Sequence, residues 1–290
     1  MNPVYATATA TSMTAFALAR WDVQVRGAEH LPASGPAVIA TNHVGHLDFV
    51  FVGYAARRQR RRVRFVAKRE VFDHRVIGPL MRAMGHIRVD RGGDTQAALR
   101  EAAAALRGGD VVGMFPEGTI SRSFVPLAGR SGAAQMALEA GAPLVPGAVW
   151  GSQRLHVRSG SLRYAPRTAI SVTFGPPLQA APGERAAGLH ARLMERIRAL
   201  VDQAQRAYPQ RPAGGEDAWW LPAHLGGSAP SVEEAEAEAR RAADQRRQIA
   251  IERRRVKHAR AAAEAERSPG EPEEAGHLST VARQDGQGGG

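Results

Sequence analysis

The sequence predicts an α/β fold: a layered domain with a largely parallel central sheet flanked by helices, plus a polar C-terminal tail, helical and then disordered. Three observations carry this. Between residues 36 and 206, short apolar runs of strand length alternate with helix-forming segments. The runs are apolar throughout, as strands covered on both faces are. From Ser231 to about Arg267 the chain keeps helix formers but has almost no apolar face.

The elements follow in order. Residues 1–20 read as an N-terminal helix ending at Arg20-Trp21. No basic segment precedes its uncharged stretch, which argues against a cleaved signal peptide. Two readings stay open for it: a weakly inserting helix with Trp21 at headgroup level, or an ordinary first helix packed on the domain. No run of 18 apolar residues occurs, so no transmembrane span is expected. The main domain spans 21–208. Strands are expected at 36–41, 63–67, 86–89, 111–115, 144–150 and 169–174. Helices are expected at 47–56, at 75–84 with an interruption at Gly78-Pro79, at 95–107 with Asp94 as N-cap, at 132–139 ended by Gly141, and at 184–206. The last carries Leu189, Leu193, Ile197, Leu200 and Val201 on one face. Residues 209–230 form a Pro/Gly-rich linker containing Trp219-Trp220-Leu221, which are either interfacial anchors or docked on the domain. Ser231-Val232-Glu233-Glu234 fits a capping box and opens a charged helix over 231–267. Its Arg253-Arg254-Arg255-Val256-Lys257 cluster reads as a solvated charge run, with contact to anionic lipid as the alternative. Residues 268–290 are expected to be disordered.

The 290 residues include no cysteine, which excludes disulfides, thiolate metal sites and a cysteine nucleophile. The net charge of +11 is uneven: residues 1–208 carry +13 and residues 209–290 carry −2. A basic domain suits nucleic acid, an anionic membrane or a phosphorylated small molecule. Of the 39 basic residues only Lys68 and Lys257 are lysines, a bias that fits phosphate recognition or merely codon usage. The arginine run from Arg57 to Arg64 lacks interleaved aromatics, which weakens a nucleic-acid reading.

The chemistry-bearing residues lie just after apolar runs, where open α/β sheets build their sites. His43 and Asp48 are five residues apart. On one continuous helix they would differ by about 140° in azimuth and could not touch. They meet only if His43 lies in the turn and Asp48 in the first helical turn behind it. Asn42-His43, Gly45 and the following helix supply that layout. A carboxylate on one ring nitrogen fixes the tautomer and leaves the other to take a proton. Two other readings remain: His43, His46 and Asp48 as metal ligands, or a structural pair capping the helix. The second segment, Phe115-Pro116-Glu117-Gly118-Thr119, places a carboxylate and a glycine turn after the 111–115 run.

With this segment the chain resembles the glycerolipid acyltransferase family, whose best-known members are the 1-acylglycerol-3-phosphate acyltransferases. Four blocks appear in order over about residues 20–205. They are Asn42-His43 to Asp48; Lys68-Arg69-Glu70 with Gly78-Pro79 and Gly85 to Arg91; Phe115 to Thr119; and Ala142 to Gly147. The resemblance implies His43 as general base and Asp48 as its orienting partner. It implies that Glu117, Gly118 and Thr119 bind the acceptor, with Arg91 near its phosphate and Pro146 among the substrate-binding residues. It implies no cofactor and no metal, the co-substrate being acyl-CoA or acyl-carrier protein. The implied partners are that donor, a lysophospholipid acceptor and an anionic membrane, with the protein at the membrane's cytoplasmic face and no nucleic acid bound. Direct attack on a thioester needs no protein nucleophile, and no Gly-x-Ser-x-Gly elbow occurs.

Two positions depart from the family pattern. Gly45 stands where a serine is common. Ile120 stands where many members place a phosphate-contacting arginine; Arg122 or Arg130 is the candidate substitute, the plain reading of Arg122 being a solvent-facing loop residue. The expected activity is O-acyl transfer to a lysophospholipid, most of all 1-acylglycerol 3-phosphate, in phospholipid biosynthesis. Its rivals are another acceptor, such as glycerol 3-phosphate or a glycolipid, and a non-catalytic lipid- or nucleic-acid-binding protein.

Overall fold

The computed structural model describes residues 3–90, 95–155 and 165–267. Arg91, the Asp94 cap and the tail from 268 lie outside the described residues. The chain divides into two compact units, Met1–Asp244 and Gln245–Gly290. The first holds the sheet and every candidate site residue that is described.

Seven strands form one sheet: β1 (Asp22–Arg26), β2 (Ala37–Thr41), β3 (Val63–Lys68), β4 (Ile87–Val89), β5 (Val111–Met114), β6 (Leu144–Trp150) and β7 (Ala169–Phe174). Their order is β1-β7-β6-β2-β5-β3-β4. From β6 to β4 every pairing is parallel. β7 joins β6 antiparallel and β1 joins β7 parallel, so the last two strands run the other way. β1, of sequence DVQVR, was not expected. It alternates, is half-exposed at the sheet edge and lacks the apolar character of the central strands.

The helices are α1 (Pro3–Leu18), α2 (Asp48–Ala56), α3 (Arg69–Phe72), α4 (Ile77–Ala83), α5 (Thr95–Arg107), α6 (Gly132–Ala140), α7 (Ala186–Arg206) and α8 (Val232–Arg267). α1 and α2 cover one face of the sheet and α5, α6 and α7 the other. The alternation within β2 sends Val38 and Ala40 to one core with α5, α6 and α7, and Ala37 and Ile39 to another with α1 and α2. On the first face the small residues Ala98, Ala102, Ala133 and Ala137 let α5 and α6 pack closely, while Leu189, Leu193 and Ile197 of α7 fill the space over β6. On the second, Phe16 of α1 stacks on Phe51 of α2 at 5.0 Å between centroids.

A third cluster binds the C-terminal segment to the domain. Trp220 is fully buried with Trp150, Tyr208, Leu221 and Val44, so this tryptophan is docked rather than exposed. The capping box at the start of α8 is present: the Glu234 N–H donates to Ser231 Oγ at 3.1 Å, and the Ser231 N–H to Glu234 Oε2 at 2.9 Å.

Candidate active site

Three neighbouring parallel strands, β5, β2 and β6, end at one edge of the sheet, and each delivers a loop there. Beyond β2 come Asn42 to Leu47 and then α2. Beyond β5 comes Glu117. Beyond β6 comes Ser152, the first residue of a 3₁₀ turn over Ser152–Leu155. The two motifs read from the sequence therefore meet, because parallel neighbours put their carboxyl ends on the same side.

Asn42 anchors the first loop. Its side chain accepts from the Val149 N–H at 2.7 Å and donates to the Val149 carbonyl at 3.0 Å, both buried. It thus imitates a backbone rung between β2 and β6 just where β2 stops. His43 then lies in the turn and Asp48 at the first position of α2, as the spacing requires. His43 Nδ1 and Asp48 Oδ2 are 2.9 Å apart. Asp48 is fully buried and also accepts from the Val44 and Gly45 N–H groups, at 2.7 and 2.9 Å, and from Ser152 Oγ. A carboxylate that accepts from so many donors makes Nδ1 the protonated ring nitrogen, so Nε2 keeps its lone pair. The side chain of His43 remains 19% exposed. Its ring lies flat against Phe115, with 4.1 Å between centroids and 16° between planes. Asp48 holds the imidazole by its edge and Phe115 by its face.

Both Asp48 oxygens are engaged by the protein's own donors, which favours an orienting carboxylate over a metal ligand. Among the described residues no three His, Asp or Glu side chains converge as a metal site would need.

Glu117 turns inward. Oε1 accepts from the His43 N–H at 2.8 Å and Oε2 from the Leu127 N–H at 2.9 Å. Burial pushes its carboxyl up to about 8, against the pull of those two N–H groups. The Ser121 N–H donates to the His43 carbonyl at 2.8 Å. Both ends of the His43 peptide are thus tied to the 117–121 loop. Gly118 forms the bend, its N–H donating to the Phe115 carbonyl at 3.0 Å with φ of 66°. A residue with a side chain would pay about 1–2 kcal/mol for that conformation. Gly118 and Thr119 are half-exposed beside His43.

The other predicted residues are dispersed. Pro146 is buried inside β6, its carbonyl accepting from the Gly175 N–H at 2.8 Å. Its missing N–H falls where the β6–β7 ladder is interrupted, the place a sheet tolerates proline. Arg122 is exposed and pairs with Glu238 of α8 at 2.5 Å. Arg130 is exposed on the same loop. Of the arginine run, Arg61 braces loops by donating to the carbonyls of Pro32, Gly35 and Gly109. A surface hollow between β1, β7 and α7, lined by Gln24, Ser171 and Tyr208, contains none of the predicted site residues.

Sequence reasoning missed three contributors. Ser152 carries no motif, its only signal being its place just after a predicted strand; Asn42 was read as part of the first block, but not as the clasp on β6. Phe115 was read only as the start of a motif, and its ring proves to be the surface on which His43 rests.

Known proteins can be set beside this geometry. The Acyltransferase family matches residues 22–150. A 1-acyl-sn-glycerol-3-phosphate acyltransferase of Bacillus subtilis is 30% identical over 190 residues, 63% of this chain and 90% of that protein. One from Limnanthes douglasii is 31% identical over 159 residues, 54% of each chain. In fold, the chain is similar to the crystal structure of the 1-acyl-sn-glycerophosphate (LPA) acyltransferase of Thermotoga maritima, with a TM-score of 0.58, 20% identity, and coverage of 71% of this chain and 81% of that one. The chain belongs to the 1-acyl-sn-glycerol-3-phosphate acyltransferase family, and it is an acyltransferase.

Proposed function

We propose that the protein transfers a fatty acyl group from an acyl-CoA or acyl-carrier-protein thioester to the free hydroxyl of a lysophospholipid, foremost 1-acylglycerol 3-phosphate. The observation that carries this reading is the His43–Asp48 pair at 2.9 Å, its ring partly exposed and its backbone tied to Glu117 at the Glu117-Gly118-Thr119 bend. The names of the Bacillus subtilis and Limnanthes relatives support the choice of acceptor. His43 Nε2 takes the hydroxyl proton as the oxygen attacks the thioester carbonyl carbon. The tetrahedral intermediate collapses with cleavage of the C–S bond, and the proton passes from His43 to the departing thiolate, giving ester and free thiol. Asp48 keeps the ring in one tautomer and faces the cation that forms. Glu117 orders the loop, Gly118 and Thr119 form the wall beside the acceptor, and Arg91 supplies charge for its phosphate.

The site would lie at the cytoplasmic face of the membrane, with the protein held peripherally. Among the described residues no helix is long and apolar enough to cross a membrane. Support for a surface contact comes from α1 and α4, which touch one another. Between them they and the residue before α4 expose Val4, Met13, Leu18, Val76, Ile77 and Leu80. Sedimentation with vesicles of anionic and of neutral lipid tests this. Equal failure to bind both removes the membrane from the reading.

A second acceptor class is favoured by Ile120, which leaves the usual arginine position without charge, and by the engagement of Arg122 with Glu238. Purified protein, labelled acyl-CoA and a panel of lysophosphatidate, glycerol 3-phosphate and other lysolipids decides between them. Transfer to lysophosphatidate that falls by about 10²–10⁴ in His43→Ala supports the proposal. Transfer unchanged in that variant refutes the base.

A further inference from the structure

The carboxylate that steers His43 is itself steered. An aspartate's terminal torsion is broad, so the rotamer alone does not fix which way its oxygens face. Asp48 Oδ2 serves three donors on its own loop: His43 Nδ1–H, Val44 N–H and Gly45 N–H. Oδ1 faces another part of the chain and accepts from Ser152 Oγ. Ser152 is fully buried, so water does not stand in for that hydroxyl.

Ser152 reaches Asp48 through space that position 45 leaves open. A Cβ on Gly45 would lie 3.1 Å from Ser152 Oγ, 3.1 Å from its carbonyl oxygen and 3.2 Å from its carbonyl carbon. The backbone of Gly45 has no left-handed φ to demand a glycine. Close approach by Ser152 is the physical reason for one. The 3₁₀ turn that carries Ser152 is in turn clamped from the C-terminal side. The Gln153 amide accepts from the Gly151 N–H at 2.9 Å and donates to the Trp220 carbonyl at 3.3 Å, and the Arg154 guanidinium lies 4.5 Å over the Trp220 ring.

We propose that Ser152 is a positioning residue for acyl transfer, locking the Asp48 carboxylate so that Oδ2 meets His43, and that Gly45 exists to admit it. The proposal rests on the reading of His43 as base. The serine touches neither substrate, so its removal affects the chemical step and leaves substrate binding alone.

The test uses the full chain, labelled acyl-CoA and lysophosphatidate, in Ser152→Ala, His43→Ala and the double variant, each checked by thermal melting. In Ser152→Ala, kcat should fall roughly tenfold to a hundredfold, as small misplacements of a catalytic group do. KM for both substrates should stay within about twofold. In the His43→Ala background, read over long incubations, the same substitution should change little, because it acts through the imidazole. Where Ser152→Ala does not fold, Gly45→Ala probes the same contact from the other side: its new Cβ presses on the hydroxyl and should lower kcat at constant KM. An unchanged kcat, a change in KM alone, or an equal loss with and without His43 would overturn the proposal. Abolished transfer in His43→Ala with a normal Ser152→Ala enzyme sinks this proposal and leaves the base intact; normal transfer in His43→Ala sinks both.

Discussion

Replacing Glu117 by glutamine separates two effects that oppose each other. The first is fixed. A glutamine offers one acceptor where Glu117 offers two, so either the His43 or the Leu127 N–H faces an amide N–H₂ and goes unpaired. A buried unpaired donor costs about 1–3 kcal/mol at any pH. The second depends on pH. Burial raises the Glu117 carboxyl from 4.5 to about 8. Between those values the native state holds a proton that the unfolded chain has released, so the Glu117 contribution to stability falls as pH rises through the window. Below 4.5 both states are protonated and the penalty is absent; above about 8 it is complete. At about 1.4 kcal/mol per pH unit, the full window amounts to about 5 kcal/mol in order of magnitude. Glu117→Gln has no such slope. The variant should therefore be the weaker protein at pH 5, draw level as pH rises, and equal or exceed wild type at pH 9. Urea unfolding of both proteins at pH 5, 6, 7, 8 and 9 measures the difference, in which all other titrating groups cancel. A gap that stays constant, or one in which wild type gains with pH, refutes the account of a carboxyl held neutral by burial.

Three further expectations follow from the geometry. Asn42→Leu keeps the branched shape but strands the buried N–H and carbonyl of Val149, costing about 1–3 kcal/mol for each group left unpaired, read from urea midpoints at pH 7. His86 is buried, its Nδ1 accepts from the Phe65 N–H, and burial lowers its imidazole from 6.5 to about 4. The contribution of His86 should therefore be lost as pH falls from about 6.5 to about 4, by about 3 kcal/mol in order of magnitude, read as the pH-dependent part of the difference between wild type and a His86→Phe variant in the same titration. Arg122→Ala breaks an exposed pair with Glu238 and should change stability by less than about 1 kcal/mol. If Arg122 leaves Glu238 to grip a phosphate, KM for a phosphorylated acceptor rises roughly tenfold; an unchanged KM removes it from the site.

The central strands β2, β5 and β6 were legible because each is a nearly continuous apolar run, as strands covered on both faces are. β1 was not, since an edge strand with one wet side is short and mixed, and its partner β7 is 147 residues later at the first pairing, Asp22 with Ala169. The reversal at β6–β7 was equally hidden, because the apolar run of β7 is the same whichever way it points. The His43–Asp48 contact could be read because both residues sit in one loop, whose length dictates who can touch whom. The contact of Ser152 with Asp48 could not, because 104 positions separate them and only the sheet brings them together. Glu117 shows a different limit. Sequence gives its place at the end of β5, but the direction of its side chain is decided by two N–H groups on His43 and Leu127 that no spacing reveals. Trp220 had two open readings, and the cover provided by Tyr208, Trp150 and Arg154 selects the buried one.

The clasp of Asn42 on Val149 ties the arrangement of the base to the assembly of the sheet. The loop bearing the base starts at the residue that closes the clasp, and its acid is braced by Ser152 beyond β6, so the full arrangement needs β2 and β6 in register. A polypeptide still emerging from synthesis, or one whose strands have paired a step out of place, carries all the reactive side chains and none of their arrangement. Catalytic competence is thereby a certificate of finished folding.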